Sequence, residues 1–390
     1  MGSTTCRVGI TISSCRQKGL IPNYGRNPHN NRHFFGTWMN PLYHHPQPQP
    51  PLQQHVTTTL QQSNSSSSSI RKKMKQSYTS SFSTFKNHYN NENNNENKKK
   101  RMALIMGVAN QRSLAWHCAL HLSETYPHYY DHIILTYQND RFRKNVEALV
   151  QQNNNHQKII QPSSSTTTEE KEQTRRKRVE MSCVECNVMD ERSLENSFDK
   201  IILETNERME FQTLIHSIAY TPPEAMGKQH CSLMNTTNQE AFRIAHDVSS
   251  YSFLRVTQKA HPYMNGQNSS ITCLTYLGSS KAVPNYNIMG PAKASLEAMV
   301  RGLALELGNT TTTTSTRVNA VSAGPIATLA AKGGIANFQT LRNESLQRNM
   351  LRRHITPQEV AQAVSFISSP QASGITGQVL FVNGGYSSHG

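Results

Sequence analysis

Aspartate and glutamate are absent from the first 91 residues, and only Glu92 and Glu96 precede residue 101. The same stretch carries 13 of the 40 Lys and Arg, and so +11 of the formal +15, leaving 27 bases against 23 acids in the rest of the chain. The basicity therefore belongs to a leader. A folded face with clustered base, as a nucleic-acid-binding domain needs, is not seen, so nucleic acid is not an expected partner. No apolar run approaches the ~20 residues that cross a bilayer, so no membrane span is expected. Cysteine is sparse, seven residues, an odd count that does not read as a disulfide framework. Cys183 and Cys186 form one CxxC, with no second pair or nearby His at zinc spacing. They read as reduced thiols on or beside a strand, and no metal is expected.

What the first hundred residues do contain is Ser, Asn, Gln, Pro and His, including HHPQPQPP, SSSSS and NNENNNEN. Such a segment buries too little apolar surface to offset chain entropy, and residues 1–100 are expected to be a disordered basic leader. Basic, Ser-rich and acid-poor composition is that of an organellar transit peptide. Two further low-complexity tracts, near 151–178 and 309–316, read as surface-loop insertions, which cost little where they join regular elements.

Residues 101–390 alternate strand-like and helix-like segments. Strands are expected over 102–108, 133–137, 179–188, 213–220, 269–278, 317–326 and 377–385. Helices are expected over 113–122, 142–150, 194–202, 241–260, 294–307 and 356–369. Sustained alternation implies βαβ units. The fold class is α/β, a doubly wound Rossmann-type parallel sheet of about seven strands in a single domain.

In such a sheet a ligand sits beyond the carboxyl ends of the strands. The first strand-to-helix turn runs from Gly107 to Leu114, GVANQRSL. Gly107 permits a tight turn, and Ser113 offers a hydroxyl to a phosphate at the helix start. The GxGxxG pattern is missing, so the turn alone is a weak signal. The second strand ends in Tyr137-Gln138-Asn139-Asp140, where an acid or amide meets an adenosine ribose. Gln138 and Asn139 favour NADH, while Arg141 and Arg143 leave NADPH open.

Tyr276 ends the fifth strand, Tyr286 follows ten residues later, and Lys293 seven after that. Reduction of a conjugated carbonyl needs a donor at the oxygen that gains charge, and a phenol supported by an ammonium supplies it. On spacing alone a half-buried Tyr and a solvated Lys fit equally well. The segments GVANQRSLAW, HSIAY, LTYLGSSKAVPNYNIMG, AKASLEA, RVNAVSAGPIATLAAKG and ITGQVLFVNGG settle the choice, because together they resemble the bacterial-type enoyl-acyl-carrier-protein reductases of the short-chain dehydrogenase/reductase superfamily. The resemblance runs from about Arg101 to Tyr386 apart from the inserts. Ordinary members of the superfamily carry Tyr-x3-Lys; Tyr-x6-Lys with a tyrosine ten residues upstream marks this branch.

The resemblance implies NADH-dependent reduction of trans-2-enoyl thioesters on acyl carrier protein, the last step of the fatty acid elongation cycle. Tyr276, Tyr286 and Lys293 would be catalytic, with Lys293 also on the nicotinamide ribose. Gly107, Ser113, Leu114, Gln138, Asn187, Val188, Ser217, Ile218, Ala219, Ile326 and Thr328 would contact cofactor. Tyr220, Tyr276, Tyr286 and Met289 would face substrate, and residues 330–338 would form a flexible lid over it. Members are usually homotetramers, and with the leader the resemblance implies a plastid stroma or mitochondrial matrix. His117, Asn187, Ala327 and Pro291 depart from the family pattern without removing a reacting group. The rivals are another short-chain reductase, acting on 3-oxo or dienoyl thioesters, and a catalytically silent dinucleotide-binding protein.

Overall fold

The computed structural model describes residues 99–159, 179–205, 209–226, 233–236, 238–264, 268–308 and 315–389. Residues 1–98, 160–178 and 309–314 lie outside them, and so do the expectations of disorder, transit and looping placed there; Lys100, assigned to the leader, instead opens the first strand. Seven strands form one parallel sheet: β1 (Lys100–Met106), β2 (His132–Tyr137), β3 (Glu180–Glu185), β4 (Met209–His216), β5 (Ser270–Thr275), β6 (Arg317–Ala323) and β7 (Val379–Val382). Their order is β3-β2-β1-β4-β5-β6-β7. The order reverses between β1 and β4, which creates the crevice where a doubly wound sheet takes its ligand.

The longer helices are α1 (Leu114–Thr125), α2 (Asp140–Ile159), α3 (Glu191–Glu204), α4 (Gln239–His246), α5 (Ser252–Ala260), α6 (Met289–Gly308), α7 (Leu329–Gly334), α8 (Phe338–Arg348) and α9 (Pro357–Ser368). Two apolar cores separate by sheet face. Leu104, Leu214, Phe253, Leu296 and Val300 belong to one, packed by α3, α5 and α6. Ile105, Leu135, Trp116, Leu122 and Val364 belong to the other, packed by α1, α2 and α9. Successive β1 residues alternate between the cores because strand side chains alternate faces. Both faces are covered, which is why the central strands read as continuous apolar runs.

Three expectations change. Residues 151–159, expected to open a surface insertion, continue α2. Asn is a poor helix former, but here Asn154 donates to the Met181 carbonyl (2.9 Å) and accepts from the Met181 N–H (3.1 Å), pinning the helix to β3. The single helix expected over 241–260 is two α-helices joined by a π turn, Asp247–Tyr251. The strand expectations also ran past the true carboxyl ends: β4 stops at His216, β5 at Thr275 and β6 at Ala323. Ser217 to Tyr220, Tyr276 to Gly278 and Gly324 to Ile326 are therefore loops at the ligand-binding edge. Pro291 falls in the first turn of α6, where its missing N–H costs no helical bond. The free thiols Cys183 and Cys186 lie on β3 and just beyond it.

Candidate active site

The β1–α1 turn begins at Gly107, held at φ +91°, with a Cβ at that position landing 2.5 Å from the Ser217 carbonyl oxygen. Only glycine lets this turn approach the strand end so closely. Ser113 stands before α1 without capping it. Its hydroxyl instead accepts the N–H groups of Ala109 and Asn110, both at 3.1 Å, so the turn is folded around it and its proton remains to be donated outward. The first N–H groups of α1 have no intrahelical carbonyls, as at any helix start. This is a cradle for a pyrophosphate.

At the adenosine end, Gln138 and Asn139 are exposed after β2. Arg143 is fully engaged, donating to the Tyr137 hydroxyl (3.0 Å) and pairing with Asp140 (3.2 Å) and Glu185 (3.3 Å). The Arg141 guanidinium lies 5.7 Å from the Phe142 ring centroid. Asn187 organises the turn after β3, its side-chain oxygen accepting from Met189 N–H at 3.2 Å, a bond that needs only the oxygen an aspartate would also present. Val188 is buried in the core beside it.

Above β5, Tyr276 and Tyr286 are 9% and 6% exposed. Their rings lie 4.8 Å apart at 57°, with Met289 in the same cluster. Two features fix the Tyr286 ring. Asn285 and Asn287 flank it at φ 61° and 41°, left-handed conformations that Asn tolerates better than most residues. Beneath it lies Gly278, where a Cβ would meet Tyr286 Cδ1 at 2.2 Å. Burial raises the ordinary pKa of both phenols, so both keep their protons. The Tyr276 hydroxyl is buried without a hydrogen-bond partner among the described residues. An orphaned phenol costs about 1–3 kcal/mol, so it is placed for something other than stability.

Lys293, on the second turn of α6, is 4% exposed and donates to the Leu274 carbonyl at 2.9 Å. Burial brings its ammonium down from 10.5 to about 8. On the neighbouring strand His216 is fully buried. Its Nε2 lies 2.8 Å from Ser252 Oγ, and that hydroxyl spends its one proton on the Val248 carbonyl (2.7 Å). His216 is thus the neutral Nε2–H tautomer, and burial holds its pKa down at about 3.

The π turn supplies what the sequence reading missed. Ser249 accepts from Tyr220 N–H and reaches the Tyr220 carbonyl, both at 3.0 Å, and lies 3.7 Å from Met289 Sδ. Ser249 therefore joins the loop after β4 to the head of α6. Its only signal in the sequence was a serine pair inside an amphipathic helix. On the β6 side Ile326 is buried, and Thr328 caps α7 by accepting from Ala331 N–H at 3.1 Å. Residues 330–338, expected as a lid, hold most of α7 and the first residue of α8.

Residues 160–387 match the sequence family described as enoyl-(acyl carrier protein) reductase. The chain belongs to the enoyl-acyl-carrier-protein reductase family. It is 35% identical to enoyl-acyl-carrier-protein reductase (NADH) of Haemophilus influenzae, across 73% of this chain and 93% of that protein. It is 34% identical to the NADPH enzyme of Staphylococcus aureus, across 73% and 95%. Among solved structures, the Aquifex aeolicus enoyl-acyl-carrier-protein reductase (NADH) superposes with a TM-score of 0.60 at 31% identity, covering 74% of this chain and 97% of that one. The Bacillus cereus enoyl-acyl carrier protein reductase, solved with NADP+ and indole naphthyridinone, gives 0.60 at 33%, covering 75% and 98%. Enoyl-acyl-carrier-protein reductases thus share the sheet that brings Tyr276, Tyr286 and Lys293 to one strand end here.

Proposed function

We propose that the chain reduces the trans-2 double bond of an enoyl thioester carried on acyl carrier protein, with NADH as reductant, closing a round of fatty acid elongation. The observation that carries this reading is the pair of buried phenols on Gly278, with a buried ammonium under the same strand end, in a chain of this family. The Gly107 cradle and the unpartnered Tyr276 hydroxyl fit a dinucleotide and a substrate oxygen. When bound, the nicotinamide supplies hydride to the β-carbon.

Tyr286 donates to the thioester oxygen as it gains charge. Burial keeps that phenol protonated, so it serves as a standing donor, and the enolate takes at its α-carbon a proton drawn from solvent water. Lys293 holds the ribose hydroxyls and supports the developing anion. Tyr276, Tyr220 and Met289 flank the acyl chain, and the apolar walls exclude water. Gly107, Ser113 and Leu114 hold the pyrophosphate. Gln138, Asn187 and Val188 take the adenosine, Ser217 to Ala219 run along the dinucleotide, and Ile326 and Thr328 meet the nicotinamide end.

NADH is preferred over NADPH on this reading. Arg143 is already neutralised by Asp140 and Glu185, and a 2′-phosphate entering there meets those carboxylates. Oxidation of NADH with a crotonyl thioester, set against a 3-oxo thioester, tests the assignment. Turnover only of the 3-oxo compound, or of neither, defeats it. The edge strand β7 exposes Leu380 and Phe381, and the neighbouring α9 exposes Phe366, which supports assembly through that edge into the expected homotetramer. Sedimentation velocity checks it. The basic, acid-poor leader supports organellar import, which a reporter fused to residues 1–100 tests in isolated plastids and mitochondria.

A further inference from the structure

Glu297 sits one helical turn beyond Lys293 on α6 and is 9% exposed. A carboxylate taken out of water is costly unless it is hydrogen-bonded and faced by positive charge. Thr275 donates to its Oε1 at 2.7 Å. The preceding residue of β5, Leu274, takes the Lys293 ammonium on its carbonyl at 2.9 Å. Two consecutive residues of one strand therefore grip two side chains an α-helical turn apart, where i and i+4 positions share a face.

We propose that Glu297 is a positioning residue for the reaction: clamped by Thr275 and buried beside Lys293, its carboxylate is the countercharge that keeps the ammonium charged and seated on the Leu274 carbonyl. The groups facing Lys293 are Cys273 on β5, His216 on β4 and Glu297 on its own helix. His216 is neutral and the buried Cys273 thiol is held protonated, which leaves Glu297 as the lasting negative charge among them. The same carboxylate opposes ionisation of Tyr286. One acid thus favours both protonation states the site uses, phenol and ammonium.

The inference rests on the reductase reading but is tested apart from it. Glu297→Gln keeps the acceptor for Thr275 and removes the charge. NADH affinity of the full chain, followed by fluorescence titration from pH 6 to 10, weakens as Lys293 loses its proton. In Glu297→Gln that weakening is expected to begin at least half a unit lower, about a threefold loss relative to wild type near pH 9. The basic limb of kcat/KM with a crotonyl thioester is expected to move with it. Thr275→Val, which frees the carboxylate to turn away, is expected to give a smaller shift in the same direction and serves should Glu297→Gln fail to fold. Profiles that superimpose on wild type, or a loss of equal size at every pH, overturn the proposal. A wild-type chain that binds NADH but ignores enoyl thioesters sinks the reductase reading and leaves the binding titration to decide on Glu297.

Discussion

At the carboxyl end of β5, Lys293 and Glu297 are buried, make no ion pair within 4.0 Å among the described residues, and each lean on a single strand group. At the carboxyl end of β2, Arg143 is open to water and contacts Tyr137, Asp140 and Glu185. The first arrangement has few bonds, yet loss of hydration on burial brings the Lys293 ammonium down to about 8. The second has many bonds and modest worth, since water and salt screen exposed pairs. Counting contacts would rank the two ends in the wrong order; burial ranks them by the work they do.

The sharpest test of that contrast is removal of the groups proposed to act on the substrate. Tyr286→Phe and Lys293→Met are each expected to lower kcat/KM for a crotonyl thioester by about 100-fold or more while leaving the far-ultraviolet circular dichroism unchanged. Near-normal turnover in both erases the distinction between the ends.

Next in size is Gly278→Ala. The added methyl displaces the Tyr286 ring, and kcat is expected to fall on the order of tenfold. Gly302→Ala in α6, where a Cβ meets nothing within 4 Å, is the matched control and should not slow the enzyme. Equal effects of the two would mean that the ring is not held by its glycine seat.

A third test uses pH, and its sign differs between activity and stability. The folded pKa of Lys293, about 8, lies below its ordinary 10.5. Cofactor affinity should therefore fall as pH rises through about 8. From about 8 to 10.5 the unfolded chain holds a proton that the folded chain has released, so this group's contribution to stability rises over that window. Urea melts of wild type and Lys293→Met across pH 8 to 10 should differ in slope in that direction. A parallel pair of slopes would place Lys293 in water in the folded state.

The smallest effect is expected at the other end. Arg143→Gln should change the KM for NADH by less than about threefold and leave the urea unfolding midpoint essentially where it is. A tenfold rise in KM would show that the exposed network, too, carries cofactor affinity.

Much of this architecture was readable in the sequence. The βαβ alternation and the apolar runs announced a parallel sheet covered on both faces, and seven strands stand in it. What misled was the assumption that apolar means strand. Ser217 to Tyr220, Tyr276 to Leu277 and Gly324 to Ile326 continue the apolar runs but are loops, since apolar side chains at the carboxyl edge of the sheet carry on beyond the last ladder bond. Asn-rich residues 151–155 misled in the opposite sense, because the tertiary bond from Asn154 to Met181 overrides propensity. Spacing and resemblance together singled out Tyr276, Tyr286 and Lys293, and the structure places all three near the carboxyl end of β5. Glu297 was within reach of the same logic, four residues after Lys293 on one helical face, but a lone acid in an amphipathic helix ordinarily reads as solvated. Ser249 was not within reach, since nothing in a run of helix formers marks where the hydrogen-bond ladder slips by one residue.

That slip sets a phase. Everything from Ser252 onward in this stretch is rotated by about 100° relative to an uninterrupted α-helix, the angle one residue occupies. A chain shortened by one residue within Asp247–Tyr251 could close the ladder. It would then have to turn Phe253 and Val256 out of the core or lift Ser249 off Tyr220, so the substrate-side loop and the interior packing are locked to a single count of residues.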